Sequence, residues 1–243
     1  MPKPTTGAKQ PRSRNHLLAS LSQRDFGKLE PYLEPYPFKI RDPLHEPGRP
    51  VSHVYFPLSG IASLVTTMED GATVEAATVG NEGMVGLPMF LDTGTASIEA
   101  FVQIPGDALR MKASAFRTLI QGGGALSDVI QRYTQVLLRL IAQSAACNRL
   151  HSLAQRCARW LLMSHDRVDG DSFLLTQEFL SQMLGVRRAT VTIAAGELRR
   201  AGLIRYRQGR IEIIDRQGLE NVTCECYPVI RREFDRLATF RAA

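Results

Sequence analysis

The stretch TQEFLSQMLGVRRATV, from Thr176 to Val191, decides the fold. Thr176 is placed to cap a helix running from Gln177 to Leu184, and Glu178 suits the positive N-terminal end of that helix. Gly185 can take the left-handed conformation that closes it. Val186 fills the turn, and a second helix follows from Arg187 to about Ala201, ended by Gly202. Phe179, Leu180, Met183, Val186, Val191, Ala194, Ala195 and Leu198 are spaced to give the two helices a small common core. Left outside are Arg187, Arg188, Thr190 and Thr192, at the first turns of the second helix. A recognition helix presents side chains to base edges in the major groove from that position.

The flanks extend this reading. Downstream, Leu203 to Ile214 reads as a hairpin with a Gln208-Gly209 turn. Arg205, Arg207 and Arg210 sit near its tip, suited to phosphate contacts beside the groove, and Arg199 adds a cation at the end of the second helix. Upstream lie a helix from about Ser152 to Arg167, a turn at Asp169-Gly170-Asp171 and a brief strand, Phe173–Leu175. Before these, Leu126, Ile130, Tyr133, Leu137, Leu140, Ser144 and Cys147 recur in alternating steps of four and three, a heptad seam. Val129, Val136 and Ile141 thicken it. The regularity points to a dimer interface, although a helix docked on its own domain would leave the same stripe.

The N-terminal part has a different texture. His16 to Leu33 reads as helical, with Ser22 and Asp25 resembling a helix start. From Pro35 to about Met111, short β-branched or aromatic runs (Val54–Pro57, Ile61–Thr67, Thr73–Val79, Ile98–Ile104) alternate with turn formers. That spacing indicates a β sandwich, jelly roll or barrel. Gly122-Gly123-Gly124 then separates a short helix from the long one. The fold class is therefore α+β. We divide it into a basic tail (1–14), a jelly-roll-like β-roll sensor domain (15–124), a dimerisation helix (125–148) and a winged helix-turn-helix (149–243).

Charge agrees with a nucleic-acid partner. The net charge is +6, but its distribution is uneven: +4 up to Arg14, about −3 in the middle, and about +5 from Cys147 onward. The last part holds sixteen arginines and no lysine, and guanidinium suits bidentate partners such as phosphate or a base edge. A solvated charged face would show the same clustering. No run of apolar residues is long enough to span a bilayer, and the polar tail lacks the apolar middle of a signal peptide, so the cytoplasm is expected.

Four cysteines (Cys147, Cys157, Cys224, Cys226) are too few for a disulfide framework and read as packed free thiols. Cys224 and Cys226, if on one helix, point about 200° apart and chelate poorly together. Cys226 falls on the apolar line of Leu219, Val222, Ile230, Phe234 and Leu237, and Cys224 falls off it; redox sensing stays open. His16, His45, His53, His151 and His165 show no His-x-His spacing. We therefore expect no metal and no cofactor. No nucleophile elbow, phosphate loop or paired catalytic carboxylates stand out, so no catalytic residue is expected either.

On these motifs the sequence resembles the Crp/Fnr family of bacterial transcription regulators, from about His16 to Leu237. The resemblance implies a β-roll sensor, a dimer helix and a winged helix-turn-helix. It implies a guanine-binding role for Arg188, and phosphate contacts for Thr176 and Gln177. Ala189 replaces the usual recognition glutamate and Ile193 a following arginine, so the operator sequence does not carry over from better-known members. In nucleotide-binding members a glutamate holds the ribose and an arginine the cyclic phosphate. Here Gly83-Met84-Val85-Gly86-Leu87 puts Met84 in place of the glutamate, and the stretch from Thr93 through Thr95 and Ala96 to Ile98 has no arginine. A phosphate buried without a cation is costly, so the effector is expected not to be cyclic AMP. The oxygen-sensing branch uses an N-terminal cysteine cluster, and no cysteine precedes Cys147.

The expected partners are double-stranded DNA, a second copy of the chain and RNA polymerase, with an effector of unknown identity. The alternative is a small-ligand- or metal-binding β-roll protein of the cupin kind, enzymatic or not, whose C-terminal part is incidental.

Overall fold

The structure is a computed structural model that describes residues 14–91 and 94–240. The expected tail, apart from Arg14, and Thr93 of the sensor segment lie outside those residues. Two short helices, α1 (His16–Ser20) and α2 (Gln23–Leu29), stand where one helix to Leu33 was expected. The break follows from Ser22: its hydroxyl accepts from the Asp25 amide at 3.0 Å, and a capped start requires extended backbone before it.

Among the described residues, seven strands form the N-terminal sheets: β1 (Glu34–Phe38), β2 (Pro43–His45), β3 (His53–Pro57), β4 (Ile61–Thr67), β5 (Thr73–Val79), β6 (Glu99–Ile104) and β7 (Gly106–Lys112). One sheet runs β1-β7-β3 and the other β2-β6-β4-β5, with antiparallel neighbours throughout. Both contribute to one core around Phe38, Val54, Phe56, Ile61, Val102 and Met111. β1 escapes the sequence pattern because Pro35 and Pro37 read as strand breakers; it is an edge strand, where a missing amide is tolerated. A short α3 (Leu87–Phe90) interrupts the strands, and α4 (Ala113–Ile120) leads to α5 (Ala125–Leu150).

The C-terminal part follows as α6 (Leu153–His165), β8 (Ser172–Leu174), α7 (Gln177–Leu184), α8 (Arg188–Arg200), β9 (Ile204–Arg207), β10 (Arg210–Ile213), α9 (Arg216–Val222) and α10 (Cys226–Thr239). Ser152 and Gln155 form a reciprocal capping box at the start of α6. β8, β10 and β9 make a small antiparallel sheet. The apolar line from Leu219 to Leu237 belongs to two helices, with Pro228 in the first turn of the second, where a proline fits.

The structure corrects one expectation about α5. Leu126, Ile130, Tyr133, Leu137, Leu140, Ser144 and Cys147 are all buried inside the chain itself, none more than 9% exposed. The stripe is consumed by β5, by the short helices α1, α3 and α4, and by α10. The opposite face of α5 carries Leu138 (62% exposed), Ala142 and Ala145, and α5 ends in Leu150 (76% exposed). A regular seam arises wherever one side of a long helix is covered, so periodicity could not say which surface covers it.

The two parts of the chain are joined by buried polar contacts. Glu82, just after β5, receives two hydrogen bonds from Arg167, just after α6, at 2.9 and 3.0 Å. Burial alone would raise the Glu82 carboxyl, yet the guanidinium outweighs it and holds the group below its ordinary range. Trp160 on α6 donates its indole N–H to Glu75 on β5 at 2.9 Å, and Ser63 on β4 donates to the same carboxyl at 2.8 Å. Here burial wins, and Glu75 is pushed up to about 7. Phe101 on β6 meets Phe179 on α7 edge-on, ring centres 5.9 Å apart.

Candidate nucleic-acid interface

The helix pair is built by the local chemistry that its sequence announces. Thr176 precedes α7 in extended conformation, and its hydroxyl accepts from the Phe179 amide at 3.1 Å. Gly185 closes α7 at φ 63° and ψ 41°, a conformation that favours glycine. Arg187 is the N-cap of α8 and Arg188 its first residue, with Val191, Ala194, Ala195 and Leu198 turned inward and buried. Leu180, Met183 and Leu184 of α7 are buried as well.

Arg187, Arg188, Thr190 and Thr192 are all exposed on the opening turns of α8. Among the described residues neither arginine makes an ion pair, so both guanidiniums present their donors to solvent. Thr192 is engaged within the site: its hydroxyl lies 2.9 Å from the Gln177 side-chain oxygen and 3.0 Å from the Arg188 carbonyl. That contact ties the first residue of α7 to α8 and fixes Gln177 beside Arg188. Arg187 and Arg188 also line a cleft of about 830 Å3 between the start of α8 and the β4–β5 turn at Met68 to Val74. Arg199 does not join this group; eleven residues of helical rise place it about 16 Å from Arg188 along α8.

The wing is a two-residue hairpin. Gln208 and Gly209 both have positive φ, at 50° and 75°, as a turn matched to the strand twist requires. Tyr206 anchors it by donating to the Leu175 carbonyl at 2.7 Å. Arg207 and Arg210 face each other directly across the strands. Like charges in that register disfavour the hairpin, and an anion between them relieves the repulsion. Arg205 is spoken for by Glu212, at 2.7 Å, and Arg210 reaches Ser172 at 3.4 Å. The structure thus brings Gln177, Arg187, Arg188 and Thr190 to one end of α8 and Arg207 and Arg210 to the wing tip.

The segment likened to a nucleotide pocket is held by close packing. Gly83 to Leu87 pairs with β3 through Tyr55 and Val85, and Thr95 bridges to Pro50. Gly86 precedes α3, and Leu87 begins it. Met84 is buried, as is Ala96, and the Tyr133 hydroxyl of α5 donates to the Met84 carbonyl at 3.2 Å. Sequence reasoning passed over two features: the Glu82 and Glu75 joints, because paired residues some eighty positions apart leave no local signal, and the approach of His151 to three cysteines. The second did leave a trace, in the i,i+4 spacing of Cys147 and His151.

Two family models match the chain in tandem. The cyclic nucleotide-binding domain covers residues 37–122 and the Crp-like helix-turn-helix domain covers residues 155–222. Compared by sequence with curated proteins, the chain finds no match. Solved structures of the same fold include a chain described as a transcriptional regulator of the Crp/Fnr family from Eubacterium rectale. It is 15% identical, with a TM-score of 0.67 over 86% of this chain and 98% of that one. A CRP-family transcriptional regulator from Thermus thermophilus is 18% identical, with a TM-score of 0.65 over 77% of this chain and 95% of that one. The c-di-GMP-responsive global regulator CLP of Xanthomonas campestris is 16% identical, with a TM-score of 0.61 over 79% of this chain and 99% of that one. These likenesses carry the fold, and the tandem domain matches carry the family. A β-roll followed by α5 and a winged helix pair, matched in that order by the two domain models, makes this chain a DNA-binding transcription regulator of the Crp/Fnr family.

Proposed function

We propose that the chain acts as a homodimer on a near-palindromic operator, with the first turns of α8 in the major groove and the wing on the phosphate backbone. The observation that carries this reading is the exposed pair Arg187 and Arg188 at the start of α8, in no ion pair among the described residues, beside a wing tip holding two facing arginines. Arg188 donates two hydrogen bonds to a guanine edge, and Thr190 contacts an adjacent base. Arg187, Arg207 and Arg210 contact phosphates, and Thr176 and Gln177 lie at the backbone through the N-terminus of α7. Arg199, at the far end of α8, touches only the flanks of the site, and Arg205 contributes once its pairing with Glu212 loosens.

The dimer surface in this reading is the free face of α5. Thr134, Leu138, Ile141, Ala145 and Asn148 follow one another in steps of four and three, and none of them is buried. Alternating steps of four and three are the spacing at which two parallel helices interdigitate. The effector is not cyclic AMP in this account, because the buried Met84 stands where a ribose would need a carboxylate. The chain carries no catalytic activity and works beside RNA polymerase in the cytoplasm. No helix among the described residues is long and apolar enough to cross a membrane.

Selection of bound DNA from a random pool tests this function. The expected result is an inverted repeat whose half-sites lie about one helical turn, ~34 Å, apart. Retention of pool DNA with no enriched repeat overturns it.

A further inference from the structure

We propose that Cys147, His151, Cys224 and Cys226 form a tetrahedral binding site for one zinc ion. Cys147 and His151 stand one turn apart at the end of α5. Cys224 lies on the link after α9, and Cys226 is the first residue of α10. The sequence expectation that Cys224 and Cys226 point apart assumed a single helix. Cys224 precedes the helix, so the two side chains converge instead of diverging.

The geometry matches a single ion. The four donor atoms all lie within 4.8 Å of one another. Cys147 Sγ is 3.5 Å from Cys224 Sγ, and Cys226 Sγ is 3.6 Å from His151 Nδ1. Tetrahedral zinc with bonds of about 2.3 Å to sulfur and about 2.0 Å to nitrogen separates two sulfurs by about 3.8 Å, and sulfur from nitrogen by about 3.5 Å. A multinuclear cluster holds its sulfurs on different metal atoms and therefore further apart. Three thiolates and a neutral imidazole form a soft, nitrogen- and sulfur-only set, which favours zinc over the oxygen-seeking divalent cations.

The surroundings are those of a ligand set held in place. The three cysteines make a small core of their own, separate from the main one, and each is at most 3% exposed. The second nitrogen of His151, Nε2, lies 3.1 Å from a Glu225 carboxylate oxygen. Such a carboxylate fixes the tautomer that leaves Nδ1 free to bind metal. Gln143 donates its side-chain amide to Cys226 Sγ at 3.1 Å. Three thiolates and one divalent ion leave a single negative charge, and the buried guanidinium of Arg159 lies close enough to act on Cys147. Cys157, on α6, is buried elsewhere and takes no part.

The site joins the end of the helix that leaves the sensor domain to the link between the last two helices of the DNA-binding part. His151 is also where α5 stops and the chain turns toward α6. A zinc ion there fixes the direction in which the DNA-binding part departs from α5.

The test uses the full-length chain. Elemental analysis of protein purified without chelator should give one zinc per chain. After reduction and chelation, titration with Co2+ should saturate at one equivalent, with the visible bands of tetrahedral cobalt and a sulfur-to-cobalt charge-transfer band. Cys224→Ser and Cys226→Ser should each weaken cobalt binding at least about tenfold, and Glu225→Gln should weaken it by about 10- to 100-fold. Cys157→Ser should change nothing. His151→Cys, which keeps four soft ligands, should retain one equivalent with a stronger charge-transfer band, even if a serine variant fails to fold. Octahedral cobalt spectra, uptake indifferent to Cys224→Ser, or a Cys147–Cys224 disulfide protein that takes up no cobalt once reduced would each overturn the proposal.

Discussion

Replacing Glu82 with alanine should strand the Arg167 guanidinium in the joint between the sensor and DNA-binding parts. The two side chains are only 6% and 5% exposed, so the range of 0–1 kcal/mol for surface pairs does not apply. Removing one partner of a buried pair costs about 3–5 kcal/mol, because the remaining charge loses its compensation. Arg167 keeps two other contacts, a hydrogen bond to the Met163 carbonyl at 2.8 Å and the Phe234 ring at 5.3 Å. The loss should therefore fall near the low end, about 3 kcal/mol. Urea denaturation at pH 7, comparing midpoints at equal m-value, reads it directly. The double variant Glu82→Gln with Arg167→Met should lose less than the two single variants together, since it leaves no bare charge. The sign with pH is also set. A carboxyl held below its ordinary 4.5 contributes fully above that value, and the contribution fades as pH falls through the lower folded value. A loss under about 1 kcal/mol for Glu82→Ala would refute the reasoning and place the pair in effective contact with water.

Two further outcomes follow from α5 and β5. Leu138→Glu with Ala145→Glu should give folded monomers by light scattering, whereas charging Leu137 and Leu140 should unfold the chain; a folded dimer from the first variant contradicts the assignment of the dimer face. Glu75, raised to about 7 by burial, favours the folded state most when protonated, so its contribution declines as pH rises from about 4.5 to 7. Glu75→Gln, which mimics the protonated form, should flatten that part of the stability profile and raise stability at pH 8 by roughly 3 kcal/mol, at 1.36 kcal/mol per pK unit; an unchanged pH profile shows that Glu75 stays ionised.

The helix pair was legible because its signals are local. Thr176, Gly185 and the inward apolar positions each act within a few residues, and Gln177–Leu184 matches its expected bounds. β4 and β5 were equally plain, their β-branched runs bounded by turn formers. β7 was not, since Gly106, Asp107 and Lys112 dilute its pattern; it becomes the central strand of its sheet through pairing with β1 and β3. The α5 stripe showed that a face is buried and could not show against what. The cysteine cluster hid behind a wrong local assumption, that Cys224 and Cys226 share one helix. Positions far apart in sequence, such as Cys147 and Cys224, meet only through the packing of α5 on α10.

Salt titrations of Arg188→Ala and Arg207→Ala, each on the selected operator and on scrambled DNA, test the central claim most directly. Arg188→Ala should lose about 1–3 kcal/mol on the operator, little on scrambled DNA, and its base preference at one position in each half-site. Arg207→Ala should weaken both DNAs alike and lower the salt slope by about one unit for each phosphate it no longer neutralises. Equal weakening on both DNAs for Arg188→Ala would mean that this side chain binds phosphate, and would contradict the assignment of α8 as the reading edge.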